Sequence, residues 1–413
     1  MLAFLACAAV ATAQQPTKDL GDASLAELGN IQIYSASKHM QNASDAPSAV
    51  TVITAEEIQE FGFRTFADIL ESVRGFYVTY DRDYSFVGVR GFGRLGDSNN
   101  RVLVLIDGHR VNDNVFGEPY IGSEFLLDVD LIERVEIIRG PSSSLYGADA
   151  FFAVISVITR KPPQLKGVEF SFAPASYGTF DGRASYGGQY RGVGMLLSGT
   201  FYDSQGQTLF YPQFDTPATN NGITRNTDYE NFQHLVATLS FHGFTFQGLF
   251  SARDKGVPTG YFGALFNDPR TRNLDYHQYF DLSYQHSIGE GWDLTARTSY
   301  DQARLQAPIA YSTGLPDGST TVDTYSFRGS WWNTEFKLSR TFLEKHKATL
   351  GTEITDNLRQ DQGDYTPIGN IFAADPASSV NWALYAQDEF DILHNLILSA
   401  GLRYDHYSGF GGP

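Results

Sequence analysis

A handful of stretches in this chain have the residue types and spacing that chemistry requires. Gly91-Phe92-Gly93-Arg94-Leu95-Gly96 has the G-x-G-x-x-G spacing of a dinucleotide cradle. That chemistry needs a strand before the glycines and a helix N-terminus after them, facing the pyrophosphate. Asp97–Gly108 reads instead as a turn and a second strand, so the cradle is rejected. His234 and His242 share one face of a strand, but eight residues of strand separate them by about 27 Å, too far for one metal ion. Asp81-Arg82-Asp83 lacks the rest of a calcium loop. No serine, histidine and acid set stands out. The expectation is a protein that is not an enzyme and carries no metal or cofactor. Its function must then lie in the elements that hold its loops.

Composition narrows the class. The 413 residues carry a net charge of -17, against a nucleic-acid partner, which would require a basic face. Rings make up 14% of the chain and glycine contributes 40 residues, yet no 18-residue apolar window exists for a membrane helix. A membrane β-barrel remains, since its strands alternate instead of forming apolar blocks. The start, MLAFLACAAVATAQQ, reads as a leader over 1–13, with Ala11-Thr12-Ala13 at the cleavage site. The single cysteine, Cys7, falls inside it, so neither disulfides nor thiolate sites are expected afterwards.

The two halves of the chain have different grammars. Residues 45–163 read as an α/β unit. Strand Ala49–Ile53 runs into Thr54, an N-cap with Glu57 three residues later as its capping-box partner. A second short helix runs from about Thr65 to Val73, with Gly75 near its C-cap. Asp107-Gly108 joins two strands as a hairpin, and LIERVEIIRGP is another strand. The run Phe151–Ile158 is expected as a strand buried on both faces, with Arg160-Lys161-Pro162-Pro163 linking it to the second half.

From Gly167 the pattern turns to period two. Met195, Leu197 and Phe201 alternate with Leu196, Ser198, Thr200 and Tyr202, and similar runs occupy 234–242, 347–355 and 395–405. About eleven such strands can be counted, near the length that crosses a bilayer when tilted. Short turns at 190–193, 242–243, 287–291, 343–346 and 392–395 alternate with long loops at 204–231, 254–276, 305–327 and 358–380, with one short exception, Pro174–Thr179, between the first two strands. A soluble sandwich gives no reason for that alternation; an outer-membrane barrel does. Two open sheet edges in lipid would cost on the order of tens of kcal/mol. The eleven strands are therefore expected to be the N-terminal part of a longer chain.

The motifs APSAVTVITAEEIQEFGFRTFADILESVRGFYV, VGVRGFG, RVLVLIDGHRVN, IERVEIIRGPSSSLYGADAFFAVISVITRKP and GVPTGYFGALFND together resemble the TonB-dependent outer-membrane receptors, over nearly all of the chain. The resemblance implies an α/β plug inside an antiparallel transmembrane barrel of 22 strands, incomplete here at about eleven. Its domains would be the signal peptide 1–13, a periplasmic segment 14–42, the plug 43–163 and the first half of the barrel 164–413. It implies a multi-pass protein of the bacterial outer membrane that imports a scarce ligand, first a ferric siderophore. Cobalamin, haem or an oligosaccharide are alternatives; a passive porin is disfavoured by the plug, and an outer-membrane enzyme by the missing catalytic set.

The implied partners are TonB of the inner-membrane energy complex, the small-molecule ligand and outer-membrane lipid. TonB would add a strand to an extended segment ahead of the plug. Ile31, Gln32, Ile33, Tyr34 and Ser35 are the candidate box, with a first plug strand as the structural alternative. Arg90, Glu136 and Arg139 are the implied charges that lock plug to wall. Tyr80, Arg82, Tyr84, Phe116 and Tyr120, on the plug loops 79–86 and 112–125, offer rings and one cation to a ligand.

Overall fold

The computed structural model describes residues 32–33, 38, 41–42, 48–140, 142–289, 291–343, 345–366, 371–393 and 396–410. The expected leader 1–13 and most of 14–47 lie outside the described residues.

Ahead of the plug, β1 (Gln32–Ile33) pairs with β2 (Gln41–Asn42). Next come β3 (Ala49–Thr54), α1 (Ala55–Glu60) and α2 (Phe66–Glu71). Both helices start with a capping box. Thr54 accepts from the Glu57 amide at 3.3 Å while Glu57 accepts from the Thr54 amide at 2.8 Å; Thr65 and Asp68 repeat this at 3.2 and 2.9 Å. Helix α2 stops at Glu71, short of the expected Val73. The Ser72 hydroxyl donates to the Ile69 carbonyl and Val73 N–H reaches back only to Leu70, which tightens the last turn.

Two hairpins come next, β4 (Phe76–Tyr80) with β5 (Ser85–Val89) and β6 (Val102–Ile106) with β7 (His109–Arg110). The second turns on Asp107 and Gly108, both at positive φ (49° and 82°), as the sequence predicts for this dipeptide. Then come β8 (Ile132–Arg139), α3 (Ser143–Tyr146), β9 (Ala153–Thr159) and α4 (Pro162–Leu165). The sheet order is β3-β8-β9-β6-β7, with β9 antiparallel to β8 and parallel to β6. The apolar run therefore occupies the centre of the sheet, where both faces are buried. It begins at Ala153, not Phe151, because Phe152 turns aside to stack on Phe92 at 5.6 Å and Phe151 is exposed.

The wall is one antiparallel sheet whose eleven strands run in sequence order. They start with β10 (Gly167–Ala175), β11 (Thr179–Tyr190) and β12 (Val193–Ser204). A two-stranded ribbon of β13 (Leu209–Phe210) and β14 (Ile223–Thr224) sits in the next loop. The sheet continues with β15 (Glu230–Phe241), β16 (Phe244–Gly256), β17 (Arg272–Ile288), β18 (Trp292–Ser312), β19 (Thr320–Phe342) and β20 (His346–Tyr365). Off this path, β21 (Ile371–Asp375) pairs with β20; β22 (Ser379–Leu393) and β23 (Leu396–Tyr407) end the sheet.

Period two places Leu197 at 49% exposure and its neighbour Ser198 at 2%. The apolar face looks outward and the polar face lines the concave side, where the plug sits. Leu196, Val236, Leu249 and Tyr279 break the polar rule on that concave face because they complete the plug's own core. At Gly187 the wall lets α4 approach closely: a Cβ there would lie 2.4 Å from that of Leu165.

The loops expected at 305–327 and 358–380 are shorter than the sequence implied. Strands β18 and β19 run on to Ser312 and from Thr320, and β20 continues to Tyr365. Beyond the apolar band no face is held against lipid: Ala307, Ile309 and Ala310 are all buried, Ala310 bonded by Leu265 and Thr271 of the neighbouring loop, so alternation vanishes while ladder pairing persists. Period two cannot register such extensions. No helix among the described residues is long and apolar enough to span a membrane.

Candidate functional site

Plug and wall meet through charged side chains held by strand parity. On the long-loop side, Arg253 projects inward from β16 and is buried. Its Nε lies 2.7 Å from Glu230, its Nη1 lies 3.0 Å from Asp275, and its Nη2 donates to the Asp83 carbonyl of the plug. The Tyr84 hydroxyl donates to Asp275 at 2.7 Å, and the ring lies under the Arg253 guanidinium at 5.4 Å. Burial pushes the Tyr84 hydroxyl and the Asp83 carboxyl well above their ordinary pKa values, with the crowding of carboxylates adding to it for both. Arg82, at positive φ, approaches Asp228 at 3.6 Å.

Of the expected ligand residues, the fold brings Tyr84 and Tyr120 together as stacked rings 6.1 Å apart, with Tyr120 buried. Phe116 packs edge-on against Phe327 of the wall at 5.4 Å. Tyr80 is exposed and Arg82 half-exposed. Above them two loops pack on each other: Phe214 stacks on Phe266 at 4.3 Å, and the Arg225 amide donates to Asn267 at 2.9 Å.

Midway down, His109 of the hairpin turn is buried between wall carboxylates. Nε2 lies 2.9 Å from Asp301 and Nδ1 3.4 Å from Asp281, while Tyr279 stacks on the ring at 4.0 Å. Burial alone would lower the imidazole pKa; Asp301 and Asp281 outweigh it and hold it up to about 9. Beside it, burial works against ionised Asp107, but Lys161 at 2.8 Å and Thr159 prevail and keep its pKa below the usual range. Arg297 donates to the Asp107 carbonyl at 2.6 Å.

A third cluster involves the segment ahead of the plug. Lys38 is buried, with Nζ 2.6 Å from Glu335 and 2.8 Å from Glu353 on adjacent wall strands, and its carbonyl accepts from Lys337. Its ammonium also lies over Tyr385 and Tyr146, at 4.6 and 4.9 Å. Arg403 bonds Glu353 at 2.8 Å and the Leu145 carbonyl at 3.2 Å. Burial opposes the charged lysine, yet the two glutamates raise its pKa. A cavity of about 950 Å³ runs between plug and wall past Lys38, His109 and Arg403.

Of the expected lock, Arg90 comes directly after β5 in a left-handed conformation and donates to the Arg139 carbonyl; Arg139 donates to the Arg74 carbonyl. Glu136 is buried and pairs with Arg134 at 2.8 Å. Of the expected box, Ile31, Tyr34 and Ser35 lie outside the described residues. Gln32 and Ile33 form β1, and Ile33 is buried. Sequence reasoning passed over Lys38, His109, Arg253, Asp281, Asp301, Glu335, Glu353 and Arg403. For the six wall residues the available signal was charge at inward parity within a transmembrane strand, which lipid-facing positions exclude; Lys38 and His109 carried none.

Two family models cover the chain: TonB-dependent Receptor Plug Domain over 42–154, and TonB dependent receptor-like, beta-barrel over 210–413. The iron-regulated outer membrane virulence protein of Vibrio cholerae (strain O395) is 35% identical over 92% of the chain and 55% of its own length. The chain belongs to the TonB-dependent receptors. The vitamin B12 transporter of Vibrio vulnificus is 28% identical over 67% of the chain and 40% of its own length. The hemin receptor of Yersinia enterocolitica is 26% identical over 92% and 54%. The ferripyoverdine receptor of the Pseudomonas aeruginosa outer membrane shares the fold, with a TM-score of 0.70 at 16% identity over 91% of this chain and 54% of that one. The chain thus spans about half the length of the curated relatives it matches. In this receptor the short turns mark the periplasmic rim and the long loops the outer one.

Proposed function

We propose that this receptor imports a scarce ligand across the outer membrane, with a ferric siderophore as the cargo. The supporting observation is a plug joined to the wall through buried, hydrogen-bonded charges at three depths, which fits a stopper that must be moved and argues against a passive pore. Tyr80 and Arg82 at the outer mouth, under the ring-bearing loops 209–224 and 257–271, are the ligand contacts in this reading. Tyr84, Tyr120 and Phe116 support them by fixing the plug apex. The iron-regulated relative favours an iron-bearing cargo over cobalamin.

In the same reading TonB engages Ile31–Ser35 by adding a strand, which requires β1 to leave β2. Arg90, Glu136 and Arg139 are carried as lock residues. The test is uptake and binding of a ferric-siderophore panel, with cobalamin and haem alongside, by the full-length protein and a variant lacking Ile31–Ser35. Binding kept and uptake lost supports the reading. Uptake undiminished by the deletion, or transport of none of the siderophores, refutes it.

A further inference from the structure

On the outward face, Arg304 of β18 and Arg328 of β19 stand directly opposite each other in register. Their inward neighbours Ala303 and Phe327 are buried, so strand parity aims both arginines away from the plug. Like charges opposed on one sheet face are destabilising unless something lies between them. Other arginines near this rim have carboxylates: Arg272 has Asp254 at 2.7 Å, Arg270 has Asp268 at 2.6 Å, and Arg359 has Asp361 at 2.5 Å. Asp361 stands opposite Arg328 in register on β20 but is paired with Arg359; among the described residues no ion pair reaches Arg304 or Arg328, and Arg304 Nε is buried without a hydrogen-bond partner.

Depth identifies what faces them. Arg304 lies twelve residues along β18 from Trp292 at the periplasmic rim. At about 3.3 Å per residue and a tilt of about 45°, that rise is roughly 28 Å, just past an apolar band about 25 Å tall. Two outward positions lower, past Gln302 and Ser330, Tyr300 and Trp332 pack at 5.1 Å on the same outward face, where an aromatic girdle belongs. Exposed Tyr276 flanks Arg304 on β17.

We propose that Arg304 and Arg328 form a binding site for the phosphate of an anionic lipid in the outer leaflet. The two guanidinium forks take the phosphate oxygens, and Tyr300 and Trp332 support the lipid at the girdle below. A guanidinium fork suits phosphate better than a point charge, and each cation near a membrane surface adds enough attraction that removing two weakens binding by roughly 30-fold.

The probe is lipid A carrying both phosphates, incorporated into phosphatidylethanolamine nanodiscs with the full-length receptor and read by native mass spectrometry. Arms with fully dephosphorylated lipid A and with excess inorganic phosphate separate a lipid site from a free-anion site. Retention is expected to fall roughly 30-fold in Arg304→Gln/Arg328→Gln, to fall similarly for dephosphorylated lipid on the unmodified protein, and to resist free phosphate. Equal retention of both lipid forms by the unmodified protein overturns the proposal without any variant having to fold. So does equal retention by a double variant whose barrel still migrates as folded on an unheated gel, or displacement of the lipid by free phosphate.

Discussion

Raising the pH should loosen the plug hairpin at His109. The buried imidazole sits between Asp281 and Asp301 with its pKa held up to about 9, against about 6.5 for an undocked histidine. A raised folded-state pKa contributes stability that is complete below the undocked value and disappears as pH climbs through the docked one. At 1.36 kcal/mol per unit, the difference of roughly 2.5 units amounts to about 3 kcal/mol of docking free energy. It is fully present below about pH 6.5, smaller by about pH 7.5, and gone somewhat above about pH 9.

Hydrogen exchange of the Val102–Arg110 amides in the full-length receptor, corrected for the intrinsic pH dependence of exchange, reports that free energy. The expected protection falls by roughly two orders of magnitude between about pH 6.5 and 9.5, while amides of the wall strands hold steady. In His109→Gln the same amides should start less protected and show no further decline over that range. Protection independent of pH in the unmodified protein would mean that the imidazole is docked neutral and that its ion pairs contribute nothing to holding the hairpin.

Other perturbations give outcomes of their own. Lys38→Met leaves Glu335 and Glu353 without the ammonium between them, so the segment at 32–42 should detach at a cost of about 3–5 kcal/mol, seen as faster protease cleavage ahead of the plug. Thr54→Ala removes the cap of α1 and should cost that helix about 1 kcal/mol, read in the full-length receptor as roughly fivefold faster exchange of its amides. Arg82→Ala at the mouth should weaken ligand binding measured by fluorescence quenching, whereas Tyr84→Phe should weaken it less while loosening the apex, because its hydroxyl is engaged with Asp275. Gly108→Ala forces a β-carbon into positive φ and within 2.7 Å of Arg297 Nη1, so exchange at the hairpin should rise even at about pH 6.5.

Much of this architecture was written in short-range pattern. Period two in 194–202 and 234–242 marked which residues face lipid, because one face of each strand has a different solvent from the other. Thr54 with Glu57, and Asp107 with Gly108, declared their cap and turn through local chemistry alone. The docking contacts could not be read the same way. Lys38 meets Glu335 and Glu353 across about three hundred residues, and His109 meets Asp301 across 192. Nothing near either residue in sequence signals those partners. Tyr84 and Tyr120 were visible as loop rings, but that the Tyr84 hydroxyl and ring are engaged by the wall depends on Asp275 and Asn273 of β17 and Arg253 of β16.

The kind of contact between plug and wall bears on how the plug can move. An all-apolar seam would hold the plug by area alone, indifferent to register, and sliding would exchange one greasy contact for another. Buried charge pairs behave otherwise. Each is satisfied in one docked position, and a shift of a few ångströms strands a carboxylate or a guanidinium in a medium where an unpaired charge costs several kcal/mol. The seam is therefore specific and brittle. It resists small displacements, then gives way once water reaches Asp301, Glu335 or Asp275 and rehydrates them. The cavity beside Lys38, His109 and Arg403 provides a volume that water can enter on that side. In the reading proposed above, force applied at Ile31–Ser35 meets β1 first. The order of release is then set by position along the chain: the β1–β2 pair, next the lysine anchor between those two strands, and only later the histidine hairpin, whose β6 strand is tied into the central sheet by β9.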